Sequence, residues 1–500
     1  MYTASLLRRP NRRVRLLAAC AVLASGALVL SGCSSTTSAS TKKEVSVGVD
    51  DTSFSFSPSS QDRMATSLVY DFLFSHDTSG YHARAATYSY NTGNTVLSIT
   101  LRKGLTFADG SAIDADVIKA NILWAKDNGA FFSSITGVDV TGDQTLVVHQ
   151  SHADQNVMLS LFAMPIVSTD TLKDPKKFAD EPDSSGPYRL EKKGTTSGAT
   201  YAFSRNPHYW DAKHFPYDKV SVKLLSDETS RINALKSGQI DVAPVGATTA
   251  ADAKGSGFTL NQFYSGTAGM ILGDRAGKIL KPLGDVRVRQ AMNMAFDRKA
   301  MVKSIYAGYA KPSSQPFQEG TPGYQSDEAN KYAYDPKGAK KLLSEAGYPN
   351  GFALTLPTYE PITGSVQSYI KQALGDIGIR VTFQAFNDDT WVGAFSGGKY
   401  PVATLGLPFS QTADTADPSF FWNPWHNSDP KAVSLLGQIN AGTPAQAAKA
   451  TDALGKLQLD DAWWVVWATP ATIWASTTDV KVNAPQYADW VSMYDIQTAK

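Results

Sequence analysis

Between residues 44 and 49 (EVSVGV) valines alternate with polar or small residues, the period-two pattern of a strand with one buried face. Alternation returns at 95–101 and 144–149, and residues 115–124 between them carry a helical pattern, so a helix is expected between two strands of one sheet. Residues 65–74 are expected to form a helix that leads into irregular structure. In LRKGLTFADGSAIDADV, residues 101–117, Leu101, Leu105 and Phe107 are apolar anchors of a strand and its exit. Asp109-Gly110 is a tight turn there, and Asp114 or Asp116 can cap the helix that begins near Val117.

The same grammar continues. Gly186-Pro187-Tyr188 opens a strand. Asp227-Glu228 starts a helix with Ile232 and Leu235 on one face, Gly238 ends it, and Ile240-Asp241-Val242 begins the next strand. Asp285 caps a helix carrying Val288, Ala291, Met292 and Ala295 on one side, and Asp297 caps another carrying Met301, Ile305 and Tyr306. Asp335, Pro336 and Gly347 frame a third, because an N-cap acid, a proline in the first turn and a glycine after the last are the end signals of a helix. A helix near Tyr369 stops at Gly375 to Gly378, and 379–383 is a strand. Alternating strands and helices predict an α/β fold.

The amino terminus follows a different pattern. Five arginines (Arg8, Arg9, Arg12, Arg13, Arg15) precede an apolar run from Leu16 to Leu30 that closes on Leu30-Ser31-Gly32-Cys33. That run is too short to span a bilayer comfortably, whereas a basic head and short apolar core are what export requires. Residues 1–32 therefore read as a signal peptide. The four residues ending at Cys33 resemble the lipobox of bacterial lipoproteins, which implies a diacylglycerol on the cysteine thiol. Residues 33–43 then form the lipidated cysteine and a polar tether, with a reach of roughly 17 Å.

The other cysteine, Cys20, lies in the leader, so a mature chain has no disulfide and must draw its stability from its core. The formal net charge is +1, and without the five leader arginines it becomes −4. A mildly acidic chain with no basic stripe argues against nucleic-acid binding.

Candidate chemistry is sparse. The mature sequence holds no thiol nucleophile, G-x-S-x-G elbow, Walker loop or H-E-x-x-H pair, so an enzyme is not expected and no cofactor or metal is implied. His149 and His152 have a ligand-like spacing but no third partner nearby, and read as a solvated turn. His208 and His214, close to Trp210, read as packing residues, and Asp50-Asp51 as a solvated strand exit. Eight of the ten tryptophans fall in the last quarter, among them Trp391, Trp422 and Trp425, and aromatic walls suit an adaptable ligand pocket.

Residues 101–117 resemble a signature of the peptide/nickel class of extracytoplasmic solute-binding proteins. Four more blocks follow in that family's order: Ser185-Gly186-Pro187-Tyr188, Arg205-Asn206-Pro207-His208-Tyr209-Trp210, Ala234 to Asp241, and Asp285 to Ala291 with Asp297-Arg298. The resemblance runs from about Val47 to about Val480. It implies a periplasmic-binding-protein-like type II fold, with two α/β lobes hinged around a ligand cleft and an inserted domain. On that template lobe I is 44–58, 184–275 and 471–500, the inserted domain is 59–183, and lobe II is 276–470.

The resemblance also implies a monomer, tethered to the outer face of the cell membrane, that captures peptides and delivers them to an ABC permease and its ATPase. In the peptide-binding branch an aspartate three residues before an acid-Pro pair holds the ligand's α-amino group. Asp414 before Asp417-Pro418 matches it, although Gln411 stands where the family often has an aromatic residue. Trp391, Trp422 and Trp425 are the expected cleft aromatics. The same scaffold carries nickel chelates, siderophores, opines and oligosaccharides, and a surface receptor without import is a further reading.

Overall fold

The computed structural model describes residues 43–484 and 491–499, apart from 51–53, 59, 61, 78–79, 129–131, 175–176, 265, 360–363, 409–411 and 421–422. The leader, Cys20, Cys33, Asp51, Gln411, Trp422 and Trp490 lie outside the described residues.

The strand Trp464–Ser476 organises the molecule, because it is buried on both faces and at both ends. Trp464 and Val466 join Ile271, Leu405 and Leu454 on one face, while Val465 and Trp467 join Met270, Phe296 and Leu356 on the other. Farther along, Ile473 and Ala475 pack with Ile240 and Val245, and Trp474 packs with Val47, Val222 and Tyr217. The strand is therefore an almost continuous apolar run, as expected where water touches neither face. Only Pro470, Ala471 and Thr472, between the two sets of cores, are half-buried.

Around this strand a sheet of ten strands forms among the described residues. From one edge the order is Val402–Pro408, Gly266–Leu272, Trp464–Ser476, Val242–Val245, Glu44–Val49, Lys219–Leu224, Thr200–Arg205 and Tyr188–Thr196, and Thr259–Tyr264 and Ala310–Pro312 also pair with the long strand. Glu44–Val49 is parallel to both of its neighbours, and Val47 sits opposite Val222 and Val242. A separate four-stranded antiparallel sheet holds Ala86–Tyr90, Val96–Leu101, Thr145–Gln150 and Ile135–Gly142. Leu97, Ile99 and Val148 of that sheet meet Ile118 and Ile122 of the helix Ala115–Asp127 in a core of their own.

Helix starts follow the local signals. The carboxylates of Asp114, Asp227, Asp285, Asp297 and Asp335 each accept a backbone N–H in the first turn of the helix they precede, at 2.7–3.0 Å. Asp114, not Asp116, caps the helix after residue 114. Gly110, Gly238 and Gly347 take positive φ values of 89°, 70° and 93°, which an L side chain would resist.

The helix expected over 65–74 is Arg63–Val69, and a tertiary contact ends it. The Gly186 N–H donates to the Val69 carbonyl at 2.9 Å, the Asp71 N–H donates to Ser185 Oγ at 2.9 Å, and Tyr70 turns extended. Ile305 and Tyr306 likewise lie beyond the end of the helix Arg298–Ser304. His208 and His214 are exposed instead of packed. Their neighbours Tyr209 and Trp210 do the packing, donating from the Tyr209 hydroxyl (3.1 Å) and the Trp210 indole (2.6 Å) to the buried carboxylate of Asp71.

Candidate functional site

Asp414 sits in a short buried turn, Ala413–Ala416, that follows the edge strand Val402–Pro408. The turn is tied down from within and from behind. Thr415 Oγ1 donates to the Thr412 carbonyl at 2.8 Å, and the buried Gln458 amide donates to that carbonyl and to Thr415 Oγ1. Asp417 accepts from the N–H and hydroxyl of Ser419, at 2.8 and 2.7 Å, so its charge is spent on the next turn.

Asp414 is not spent in that way. Its side chain caps no backbone N–H; Oδ1 accepts from Gln155 Nε2 at 2.8 Å, and Oδ2 has no hydrogen-bond partner among the described residues. The residue is 2 % exposed. Burial first, opposed by the Gln155 hydrogen bond and reinforced by the charges of Asp154 and Asp417, pushes its carboxyl up to about 7. A buried carboxylate oxygen left without a donor is costly.

Gln155 is the N-cap residue of the helix Asn156–Ala163 but its side chain makes no cap bond. Asp154 Oδ1 accepts the Asn156 N–H at 3.0 Å instead. The Gln155 amide is thus free to reach Asp414.

A cavity of about 370 Å³ opens beside the pair. His76, Tyr81 and Gln155 line it from one side of the sequence, and Phe317, Thr321 and Asp414 from the other. Burial, only partly offset by Asp77, pulls the His76 imidazole down to about 4, so it is neutral at pH 7. The described lining holds two carboxylates, Asp77 and Asp414, and no lysine or arginine.

Two of the expected cleft aromatics, Trp391 and Trp425, have aromatic and backbone partners of their own. Trp391 is buried and stacks on Tyr359 with ring centroids 5.9 Å apart, and Trp425 meets Phe395 edge-on while its indole donates to the Tyr400 carbonyl at 2.7 Å. Neither lines the Asp414 cavity. Gln155, His76, Tyr81 and Phe317 were missed at the sequence level. No local motif marks them, since each belongs to the site only through the way distant segments meet.

Comparison with known proteins decides the family. Residues 81–432 match the model of the bacterial extracellular solute-binding proteins, family 5 Middle. The chain belongs to that family. This family 5 chain is 29 % identical over 317 residues to the glutathione-binding protein GsiB of Salmonella paratyphi A, an alignment covering 61 % of the chain and 60 % of the relative. The match thus spans less than two thirds of that relative's length.

Among solved structures, DppA from Helicobacter pylori in complex with peptide STSA superposes with a TM-score of 0.76 at 19 % identity, covering 91 % of this chain and 98 % of that one. NikZ from Campylobacter jejuni in complex with Ni(L-His) gives 0.74 at 19 % identity, covering 91 % and 99 %. The fold is that of the periplasmic binding proteins, a mixed α/β architecture. The family 5 motifs read from the sequence, residues 101–117 and 185–188 foremost, are architectural. Ser185 and Gly186 anchor the chain at Val69 and Asp71, and Asn206 Nδ2 donates to the Gly186 carbonyl at 2.9 Å.

Proposed function

We propose that this family 5 protein captures short peptides outside the cell and delivers them to an ABC importer, with Asp414 as the counter-charge for the peptide's α-ammonium group. One observation carries the reading: a buried carboxylate with one oxygen unpartnered among the described residues, beside a cavity whose described lining has no lysine or arginine and whose histidine, His76, is neutral at pH 7. An ammonium entering this space replaces the lost hydration of both ions with a charge-assisted hydrogen bond, and ionises a carboxyl that otherwise sits near neutrality. Among the related proteins, GsiB is described as glutathione-binding and DppA holds a peptide, and both agree with a peptide-like ligand.

The proposed mechanism is closure of lobe II (276–470) on lobe I (44–58, 184–275, 471–500) and the inserted domain (59–183). The half-buried stretch Pro470 to Thr472, between the cores, supplies a place to bend. Ligand favours the closed state by its difference in affinity for closed over open. Trp391 and Trp422 remain proposed contacts for side chains of longer ligands, whereas Trp425 lines a separate cavity. Lipidation of Cys33 would hold the protein near its permease, since two acyl chains together anchor stably.

Calorimetry with free-amine and N-acetylated di- and tripeptides, on the wild type and on Asp414→Ala, tests the proposal. Free-amine peptides should bind, and the substitution should weaken them by about 2–5 kcal/mol. Equal binding of acetylated peptides, or indifference to the substitution, removes the anchor and leaves a non-peptide solute, such as the nickel chelate held by NikZ, as the better reading. Native mass spectrometry of the purified protein would identify any retained cargo.

A further inference from the structure

A second cavity lies at the far end of the same strands. Gly266 of the strand Gly266–Leu272 pairs with Pro408, the end from which the chain runs on to Asp414, and Leu272 pairs with Val402 at the opposite end. Six residue steps of extended chain separate these ends by roughly 20 Å. Beyond Leu272 the chain enters a polar cavity of about 610 Å³, whose lining includes Arg275, Lys278, Ile279, Trp425 and Trp463.

The charges in this cavity are unevenly satisfied. Asp274 accepts the backbone N–H groups of Lys278, Ile279 and Leu280 at 2.8, 2.7 and 2.5 Å. Asp429 caps the helix Pro430–Ala441, and Asp461 accepts from Arg289 at 2.8 Å and from the Trp463 indole at 3.0 Å. All three acids therefore have donors. The Arg275 guanidinium lies 3.8 Å from the centroid of the Trp463 ring, yet makes no hydrogen bond and no ion pair among the described residues. Burial, and then the like charge of Arg289, work against its cation, while the charges of Asp461 and Asp429 favour it. A guanidinium has five donors in a planar fork, and a stacked one with none engaged is set for a planar oxyanion.

The surroundings narrow the class. Asp429 and Asp461 stand at the same cavity and disfavour a dianion, whereas Ile279, 46 % exposed, and the Trp425 ring offer apolar surface. We infer that this cavity is a second binding site, distinct from the one at Asp414, for a monocarboxylate carried on an apolar or aromatic body, with Arg275 as the carboxylate fork.

Ligand-observed NMR on the mature protein tests it, with benzoate as the probe and benzamide and inorganic phosphate as comparators. Benzoate should show saturable transfer, benzamide and phosphate much less. Arg275→Ala should weaken benzoate about tenfold or more, as loss of a hydrogen bond to a charged group does, and Asp414→Ala should leave it unchanged. If Arg275→Ala fails to fold, Ile279→Glu places a repelling carboxylate on exposed surface and should abolish the transfer. Absence of benzoate binding, equal binding of benzamide, preference for phosphate, or indifference to the Arg275 and Ile279 substitutions overturns the inference.

Discussion

Gln155 Nε2 donates to Asp414 Oδ1 at 2.8 Å, joining residues 259 positions apart across the edge of a cavity. It is the one hydrogen bond to the Asp414 carboxylate among the described residues, and it lies in competition with burial. Replacing Gln155 with alanine leaves neither oxygen satisfied among the described residues. Gln155→Ala should lower the stability of the ligand-free protein by about 1–3 kcal/mol and push the Asp414 carboxyl higher still. Chemical denaturation and an NMR titration of the Asp414 carboxyl check the two effects separately.

Asp414 also predicts how stability varies with pH. A carboxyl raised to about 7 holds its proton in the folded chain while the unfolded chain, near 3.8, has lost it. Between those values the folded state binds more protons, so this group's contribution to stability falls as pH rises and levels off above 7. The slope reaches at most about 1.4 kcal/mol per pH unit, and Asp414→Asn should remove it. Denaturant midpoints measured from pH 4 to 8 on both proteins show whether it does.

Ligand binding should carry the opposite signature. An ammonium ligand needs the ionised carboxylate, so binding near pH 6 should release a proton, and affinity should fall roughly tenfold per unit below pH 7. Calorimetry in buffers of different ionisation enthalpy measures that release directly. It should vanish in Asp414→Asn.

Asp71 holds a different kind of carboxylate, buried and fully engaged. Arg84 Nε donates to it at 3.0 Å, the Tyr209 hydroxyl and the Trp210 indole join in, and the Arg84 guanidinium lies 3.1 Å from the Tyr494 ring centroid. Removing the acid strands a mostly buried cation. Asp71→Ala should cost about 3–5 kcal/mol, far more than an exposed pair such as Lys219 with Glu44. Urea unfolding of the two single variants compares them.

Gly186 tests the reading of its motif as architecture. A Cβ there would lie 2.7 Å from the backbone N, C and O of Tyr70, atoms that cannot swing aside. Gly186→Ala should destabilise by about 1–3 kcal/mol through forced backbone shifts. Thermal melts should register it, while the affinity of the folded fraction for peptide stays near wild type.

Much of the fold was legible because its signals are local. An aspartate that caps a helix acts within three residues, as Asp297 does on Ala300, and a glycine at positive φ ends a helix within one turn. The helix expected to reach residue 74 failed for the complementary reason: what stops it at Val69 is Gly186, more than a hundred residues away. In the candidate site, Asp414 was named through the resemblance to the family's peptide-binding branch, but Gln155, His76 and Phe317 were not, and Trp391 and Trp425 lie away from its cavity.

From residue order alone came several strands, most helix starts and, through the family resemblance, one candidate carboxylate, since caps, turns and hydrophobic periods are written over a few neighbouring positions, whereas the central strand Trp464–Ser476 was not foreseen. Which oxygen of Asp414 lacks a donor among the described residues, which acids are already engaged, and where Arg275 stands unpaired among those residues were decided only by the packed chain. Burial and charge pairing are properties of the space between segments, and that space exists only once the strands have found one another.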